Sequence, residues 1–82
     1  MRVYQKDANR TANAIAKVIK KSDKYGTDER ISKGAYDWLE WNRASLASLV
    51  EELLDDKYYV EIKEFKLYGE YYMHIEWNMV EP

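Results

Sequence analysis

The alternation of side chains near the C-terminus is the feature that most constrains this fold. From Tyr71 to Met79, large apolar or aromatic residues occupy every odd position. A two-residue period with aromatic and β-branched side chains is typical of a half-buried strand. A similar segment begins at Tyr58, and Gly69 can adopt the positive φ that tight hairpin turns need. The sequence therefore predicts an antiparallel β-hairpin that turns at Tyr68–Gly69.

A two-residue turn also fixes which residues of the hairpin face each other. One face would contain the apolar pairs Tyr58 with Met79, Val60 with Trp77 and Ile62 with Ile75. The other face would contain Phe65 with Tyr72, Lys63 with His74 and Glu61 with Glu76. Because the side-chain period of a strand is two, the first face is expected to pack in the core as a unit.

The segment Asp7–Lys24 has the pattern of an amphipathic helix. At about 100° per residue, its apolar residues share one side and its basic residues the opposite side. Asp7 is suited to cap the first turn through its carboxylate. Gly26 is suited to end the helix in a left-handed conformation.

A second helix is predicted to begin after Thr27, whose hydroxyl is suited to cap it, and to continue to Leu54. Such a helix would be about 39 Å long, which is long for a chain of 82 residues. We therefore expect a bend or break at Asn42–Ser45, or alternatively at Gly34.

The order helix, helix, strand, strand predicts an α+β fold, with two helices packed on the hairpin in one domain over residues 1–82. An isolated hairpin is marginal in water, so it must pack on the helices or gain strands. Arg2–Gln5 is a candidate third strand. A second copy of the chain is the other source, because the strand Glu70–Val80 would present a weakly charged edge. The sequence thus also predicts a symmetric homodimer.

Composition narrows the classes of function. Cysteine is absent, which excludes disulfides and thiolate metal sites. No apolar run resembles a signal peptide or could span a bilayer, so we expect a cytoplasmic protein without membrane contact. With three glycines and no glycine-rich phosphate loop, a nucleotide cofactor is not expected.

His74 is the single histidine, and its surroundings in the hairpin do not indicate catalysis. It would lie across from Lys63, which is a poor partner for orienting an imidazolium ring. The usual zinc ligand sets cannot be assembled from one histidine without cysteine. Glu61 and Glu76 would repel each other, but Lys63 is near enough to offset this. We therefore expect a protein that is not an enzyme and binds no metal or cofactor.

The first helix carries a basic face that could follow a phosphate backbone. Its candidate nucleic-acid contacts are Arg10, Lys17, Lys20, Lys21 and Lys24. Residues 1–43 hold ten Lys and Arg against six Asp and Glu, whereas residues 44–82 hold three against nine. However, exposed helix faces are often rich in lysine, and a pI of about 5.4 disfavours strong nucleic-acid binding.

Several large side chains, most of them aromatic, lie outside the apolar faces that are predicted to form the core. Tyrosine and tryptophan concentrate in the centres of protein interfaces, because they bury large areas with few rotatable bonds. The alternative is that a helix or the N-terminal segment covers the hairpin tip, and the sequence favours neither reading. The candidate protein-binding residues are Tyr36, Trp41, Phe65, Leu67, Tyr68 and Tyr72.

These features favour a non-enzymatic module that binds, and blocks, a larger protein through the aromatic hairpin tip and its acidic flank. Small proteins without catalytic groups are common among the accessory inhibitors of phages and mobile elements, and this parallel rests on size and composition alone. The alternative is a nucleic-acid-binding or regulatory protein that uses the basic face of the first helix.

Overall fold

A computed structural model describes residues 1–81 of the chain. It contains two helices and three strands, in the order α1 (Ala8–Lys21), β1 (Gly26–Ile31), α2 (Lys33–Leu53), β2 (Tyr58–Leu67) and β3 (Glu70–Met79). The strands form one antiparallel sheet with the order β1-β3-β2. The fold therefore belongs to the α+β class.

The C-terminal hairpin has the predicted register. Ile62 lies opposite Ile75, and Phe65 lies opposite Tyr72. Tyr68 and Gly69 connect the strands with φ values of 49° and 76°, and positive φ at both positions is what a type I′ turn requires. The turn and the alternation together therefore determine this part of the fold.

Strand β3 is the centre of the sheet and not its edge. Its residues from Tyr71 to Glu76 pair with β1 on one side, and the whole strand pairs with β2 on the other. The expectation of an exposed edge along Glu70–Val80 is therefore wrong. The outer strands of the sheet are β1 and β2.

The third strand comes from the segment in which the sequence predicts the start of the second helix. Thr27–Ile31 pairs with β3, whereas residues 2–5 form no strand. Gly26 lies in β1 and does not have the positive φ of a helix stop. A Cβ at this position would lie 3.2 Å from the carbonyl oxygen of Ile75, so glycine permits the close strand pairing here. Long-range backbone pairing with β3 has overridden the local helix signals.

Both helices begin at side-chain caps. The Asp7 carboxylate accepts a hydrogen bond from the Arg10 amide at 3.0 Å, as predicted, although α1 ends at Lys21 and not at Lys24. Ser32, and not Thr27, caps α2 by accepting from the Ala35 amide at 3.1 Å. Helix α2 continues without interruption through residues 42–45. Its late start makes it only about 32 Å long, so the predicted break is not needed.

The core lies between the helices and one face of the sheet. Buried residues of the two helices and of β2 and β3 form one cluster that includes Ile15, Leu39, Leu46, Met73 and Ile75. Within residues 1–81, neither helix combines the length and apolarity that crossing a membrane requires. Because both helices contribute to this one core, the opposite face of the sheet is exposed to solvent. The three strands determine how side chains are arranged on that face, where the candidate site lies.

Candidate functional site

The sheet face that points away from the core is called here the open face. Alternation places one set of side chains on it from each strand, and most of these are exposed or half-buried. The set comprises Asp28 and Arg30 from β1, Tyr59, Glu61, Lys63, Phe65 and Leu67 from β2, and Glu70, Tyr72, His74, Glu76 and Asn78 from β3.

An aromatic stack lies on the open face near the hairpin tip. The rings of Phe65 and Tyr72 have their centroids 5.1 Å apart and are nearly parallel, with an angle of 11° between their planes. Beyond the stack, Leu67 is 49% exposed and Tyr68 is 95% exposed. The structure thus brings four predicted residues together at one end of the hairpin: Phe65, Leu67, Tyr68 and Tyr72.

The other two predicted aromatic residues lie elsewhere. Tyr36 of α2 packs its ring against Tyr71, with centroids 5.1 Å apart, so it contributes to contact between helix and sheet. Trp41 is 87% exposed and, at about 100° per residue, projects from the side of α2 opposite Leu39. The six residues therefore do not form one continuous surface, because α2 presents Trp41 away from the hairpin.

Every carboxylate of the open face has a basic partner or the imidazole close by. Arg30 contacts Glu70 at 2.6 Å, and Lys63 contacts Glu61 at 3.0 Å. These exposed pairs contribute little to stability. They do, however, offset much of the negative charge expected of an acidic flank, so the aromatic side chains become the more distinctive feature of this face.

His74 lies between two carboxylates on the open face. Nδ1 is 2.5 Å from Oδ1 of Asp28, and Nε2 is 2.9 Å from Oε1 of Glu76. A neutral imidazole has one N–H, whereas the imidazolium donates to both carboxylates at once. The hydrogen bond to Glu76, which has the larger effect, and the hydrogen bond to Asp28 therefore raise the pKa of His74 above its usual value.

The stability of the fold should depend on the protonation of His74. Because folding raises the pKa of His74, its imidazolium stabilises the folded state. This contribution to the free energy of unfolding is complete below the ordinary histidine pKa of about 6.5. It is lost as the pH rises through the higher pKa of the folded state. We expect wild type to exceed His74→Gln in unfolding free energy by more at about pH 5.5 than at about pH 9. Urea denaturation at the two pH values measures this, and an equal difference at both would contradict it.

The carboxylates around His74 lie on opposite sides of the imidazole ring. Asp28 and Glu76 contact opposite nitrogens of the ring, so their oxygens do not converge on one point beside it. Throughout residues 1–81, no group of three or more histidine, aspartate or glutamate side chains has a geometry suited to holding a metal ion.

Asp28 and Arg30 are not among the site residues that the sequence predicts, because the sequence predicts a helix for their segment. The β-branched residues at its two ends, Thr27 and Ile31, were the signal that favoured a strand, although the three residues between them are all charged. The segment is only five residues long, and the helix-capping pattern nearby was at least as strong.

The candidate basic face remains on the outside of the molecule. Lys17, Lys20 and Lys21 are exposed on α1, and Lys24 is exposed just after it. None of these four forms an ion pair within the described residues. Arg10 differs, because its guanidinium lies 4.1 Å from the centre of the Tyr4 ring and helps to fix the N-terminal segment.

Comparison with known proteins provides no relative from which a function could be transferred. No family model matches the sequence, and neither the curated proteins nor the solved structures include a significant match. Function must therefore be inferred from the residues of the chain itself.

Proposed function

We propose that this protein is a non-enzymatic module that binds a larger protein through the tip surface, defined as Phe65, Leu67, Tyr68 and Tyr72. The conformation of Tyr68 is the observation that carries the proposal. Its φ of 49° lies in the left-handed region, which costs about 1 kcal/mol for a residue with a Cβ. Asparagine, aspartate or glycine is the usual choice at this turn position.

Packing within the chain also does not explain why residue 68 is a tyrosine. The residue is 95% exposed, so its ring gains almost no burial in the folded monomer. A large side chain that is unfavourable for the backbone and unburied is expected at sites where the ring serves function. Burial of this ring against a partner would supply the missing stabilisation, because tyrosine is among the residues that dominate binding energy in protein interfaces.

The neighbouring side chains extend the tip surface beyond one ring. Leu67 precedes Tyr68 and is half exposed, and the Phe65–Tyr72 stack presents a flat aromatic face two residues further along the strands. The stack is formed before binding, which lowers the cost of ordering these side chains in a complex. A partner with an apolar cleft would fit this projecting hairpin end.

Blocking of the partner is the activity that we propose for the bound state. A hairpin tip that inserts into a cleft occupies it and excludes other ligands. Small accessory inhibitors of phages and mobile elements offer a parallel to such a protein in size and composition alone. Because the carboxylates of the open face are mostly paired, we expect apolar contact and not charge to provide most of the affinity.

The variant Tyr68→Asn separates folding from binding. Asparagine tolerates the left-handed conformation, so we expect this variant to be more stable than wild type by about 0.5–1 kcal/mol. We expect it also to lose the proteins that immobilised wild type captures from a bacterial lysate. Quantitative mass spectrometry of the captured proteins and urea denaturation are the two measurements.

Tyr25→Asn is the matched control, because Tyr25 is 71% exposed and lies beside Trp77, at the end of β3 away from the turn. It should retain the captured proteins. If both variants lose the same proteins, or if Tyr68→Asn keeps all of them, the tip surface is not the binding site.

The unpaired lysines of α1 favour one alternative, which is binding of nucleic acid. Affinity carried by these residues should fall steeply with salt, with a log–log slope of about −0.9 for each phosphate neutralised on duplex DNA. Replacing Lys17, Lys20 and Lys21 by glutamine should flatten the slope by up to about 3 without affecting folding. Fluorescence anisotropy at low salt tests this, and absence of binding to duplex and single strands would rule it out.

A further inference from the structure

The outer edge of β2 has backbone groups available for a further strand. Val80 donates its amide to the Lys57 carbonyl at 2.9 Å, so this opposed pair is of the hydrogen-bonded kind. Such pairs recur at every second residue of an antiparallel ladder. The odd-numbered residues of β2 therefore bond to β3, and the even-numbered ones direct their N–H and C=O groups outward. These are Tyr58, Val60, Ile62, Glu64 and Lys66.

One of these outward groups has a side-chain partner. The amide of Val60 donates to Oε2 of Glu51 at 2.9 Å, so α2 covers the edge at this point with one flexible side chain. Beside it, a cleft of about 270 Å³ follows the helix side of the strand and is lined in part by Ala44, Ala47 and Ile62. The two alanines leave room there for side chains of an added strand.

The sequence of β2 is complementary to itself in the antiparallel register centred on Ile62. When Ile62 of two copies lie opposite each other on a two-fold axis, Glu61 of each copy faces Lys63 of the other. The same register places Tyr59 opposite Phe65 of the other copy, and both side chains lie on the open face. It also pairs the outward-directed residues with one another, as the hydrogen-bond pattern requires.

Neighbouring registers lack this complementarity. An axis through Glu61, Lys63 or Glu64 would place that residue directly opposite itself, and like charges across a ladder are unfavourable. Self-pairing of β1 about its central residues has the same defect, because an axis through Asp28, Glu29 or Arg30 would place that charged residue opposite itself.

We propose that two copies of this chain associate through their β2 edges, antiparallel and with Ile62 on the two-fold axis. The product is one continuous sheet with both open faces on the same side, and with the two hairpin tips at separate positions. The amide of Val60 exchanges its bond to Glu51 for a bond to the backbone of Glu64 in the second copy. This association is independent of the tip surface, and either proposal can fail without the other.

Charge reversal tests the register. Sedimentation equilibrium from micromolar to millimolar concentration should show a mass that rises from 9.8 kDa towards twice that value. Lys63→Glu should weaken the dimer about tenfold or more, because it creates two opposed pairs of like charge. Glu61→Lys should act similarly. The double variant Glu61→Lys/Lys63→Glu restores both attractions and should return the dissociation constant to within about threefold of wild type.

Cross-linking supplies a second readout, since the natural sequence contains no cysteine. Chains carrying Glu61→Cys and chains carrying Lys63→Cys should form disulfide-linked dimers faster when mixed than when either is oxidised alone. A mass of 9.8 kDa at every concentration would overturn the proposal. So would equal cross-linking in all three samples, or a dimer that none of the charge variants affects.

Discussion

Replacing Ile75 or Trp77 with alanine is expected to lower the free energy of unfolding by about 2–5 kcal/mol. Ile75 is fully buried and Trp77 is 2% exposed, and both belong to the cluster formed by the helices and the sheet. Truncation would remove apolar contacts and leave a cavity that the surrounding helices can fill only partly. Urea denaturation at constant pH measures the loss.

The open face of the same strands provides the control. Phe65→Ala and Tyr72→Ala should each cost about 1 kcal/mol or less, because these rings stack on one another and are partly exposed. Equal losses in all four variants would mean that the stack is part of the stabilising core. The rings of Phe65 and Tyr72 would then not be free to contact a partner, which would count against the tip surface as a binding site.

The hairpin could be predicted from sequence because its determinants are local. Alternation assigns each side chain to a face, and the turn at Tyr68–Gly69 sets the register without reference to the rest of the chain. The same holds for the start of α1, where Asp7 caps the first turn within three residues. Such features depend on neighbours in sequence, so the pattern of residues is enough to predict them.

The third strand could not be predicted in the same way. Gly26–Ile31 becomes a strand because β3 offers a row of hydrogen-bonding groups to it, and the paired residues are 40 to 50 positions apart in sequence. Its own pattern is short, and Thr27 followed by two acidic residues also resembles a helix start. Because the sequence predicts a helix for this segment, the predicted second helix is too long. For the same reason, the sequence predicts an edge strand at Glu70–Val80, which is the central strand of the sheet.

Only part of the candidate site could be predicted from sequence, because some of its residues have local determinants and others depend on long-range contacts. The four residues of the tip surface belong to the hairpin, and the structure brings them together. Trp41 and Tyr36 belong to α2, and their direction depends on how that helix packs on the sheet. Asp28 and Arg30 depend on the pairing of β1. Residues whose neighbours come from distant segments are those that the sequence alone did not place.

Removal of the Thr11 hydroxyl is the second change for which we expect a large effect. Thr11 is fully buried, and its Oγ1 accepts a hydrogen bond from the Tyr4 amide at 2.7 Å. The same hydroxyl lies 3.2 Å from the carbonyl oxygens of Tyr4 and Asp7, to either of which it donates. This residue thus ties the N-terminal segment to α1.

Thr11→Val keeps the shape of the side chain but leaves the Tyr4 amide without its partner, so it should cost about 1–3 kcal/mol in unfolding free energy. Thr11→Ser keeps the hydroxyl and removes one methyl group, which should cost about 1 kcal/mol. Denaturant midpoints of the two variants decide between hydroxyl and methyl as the important group. Because valine fills the site and serine does not, a larger loss in the serine variant would show that packing, and not the hydrogen bonds, holds the N-terminal segment.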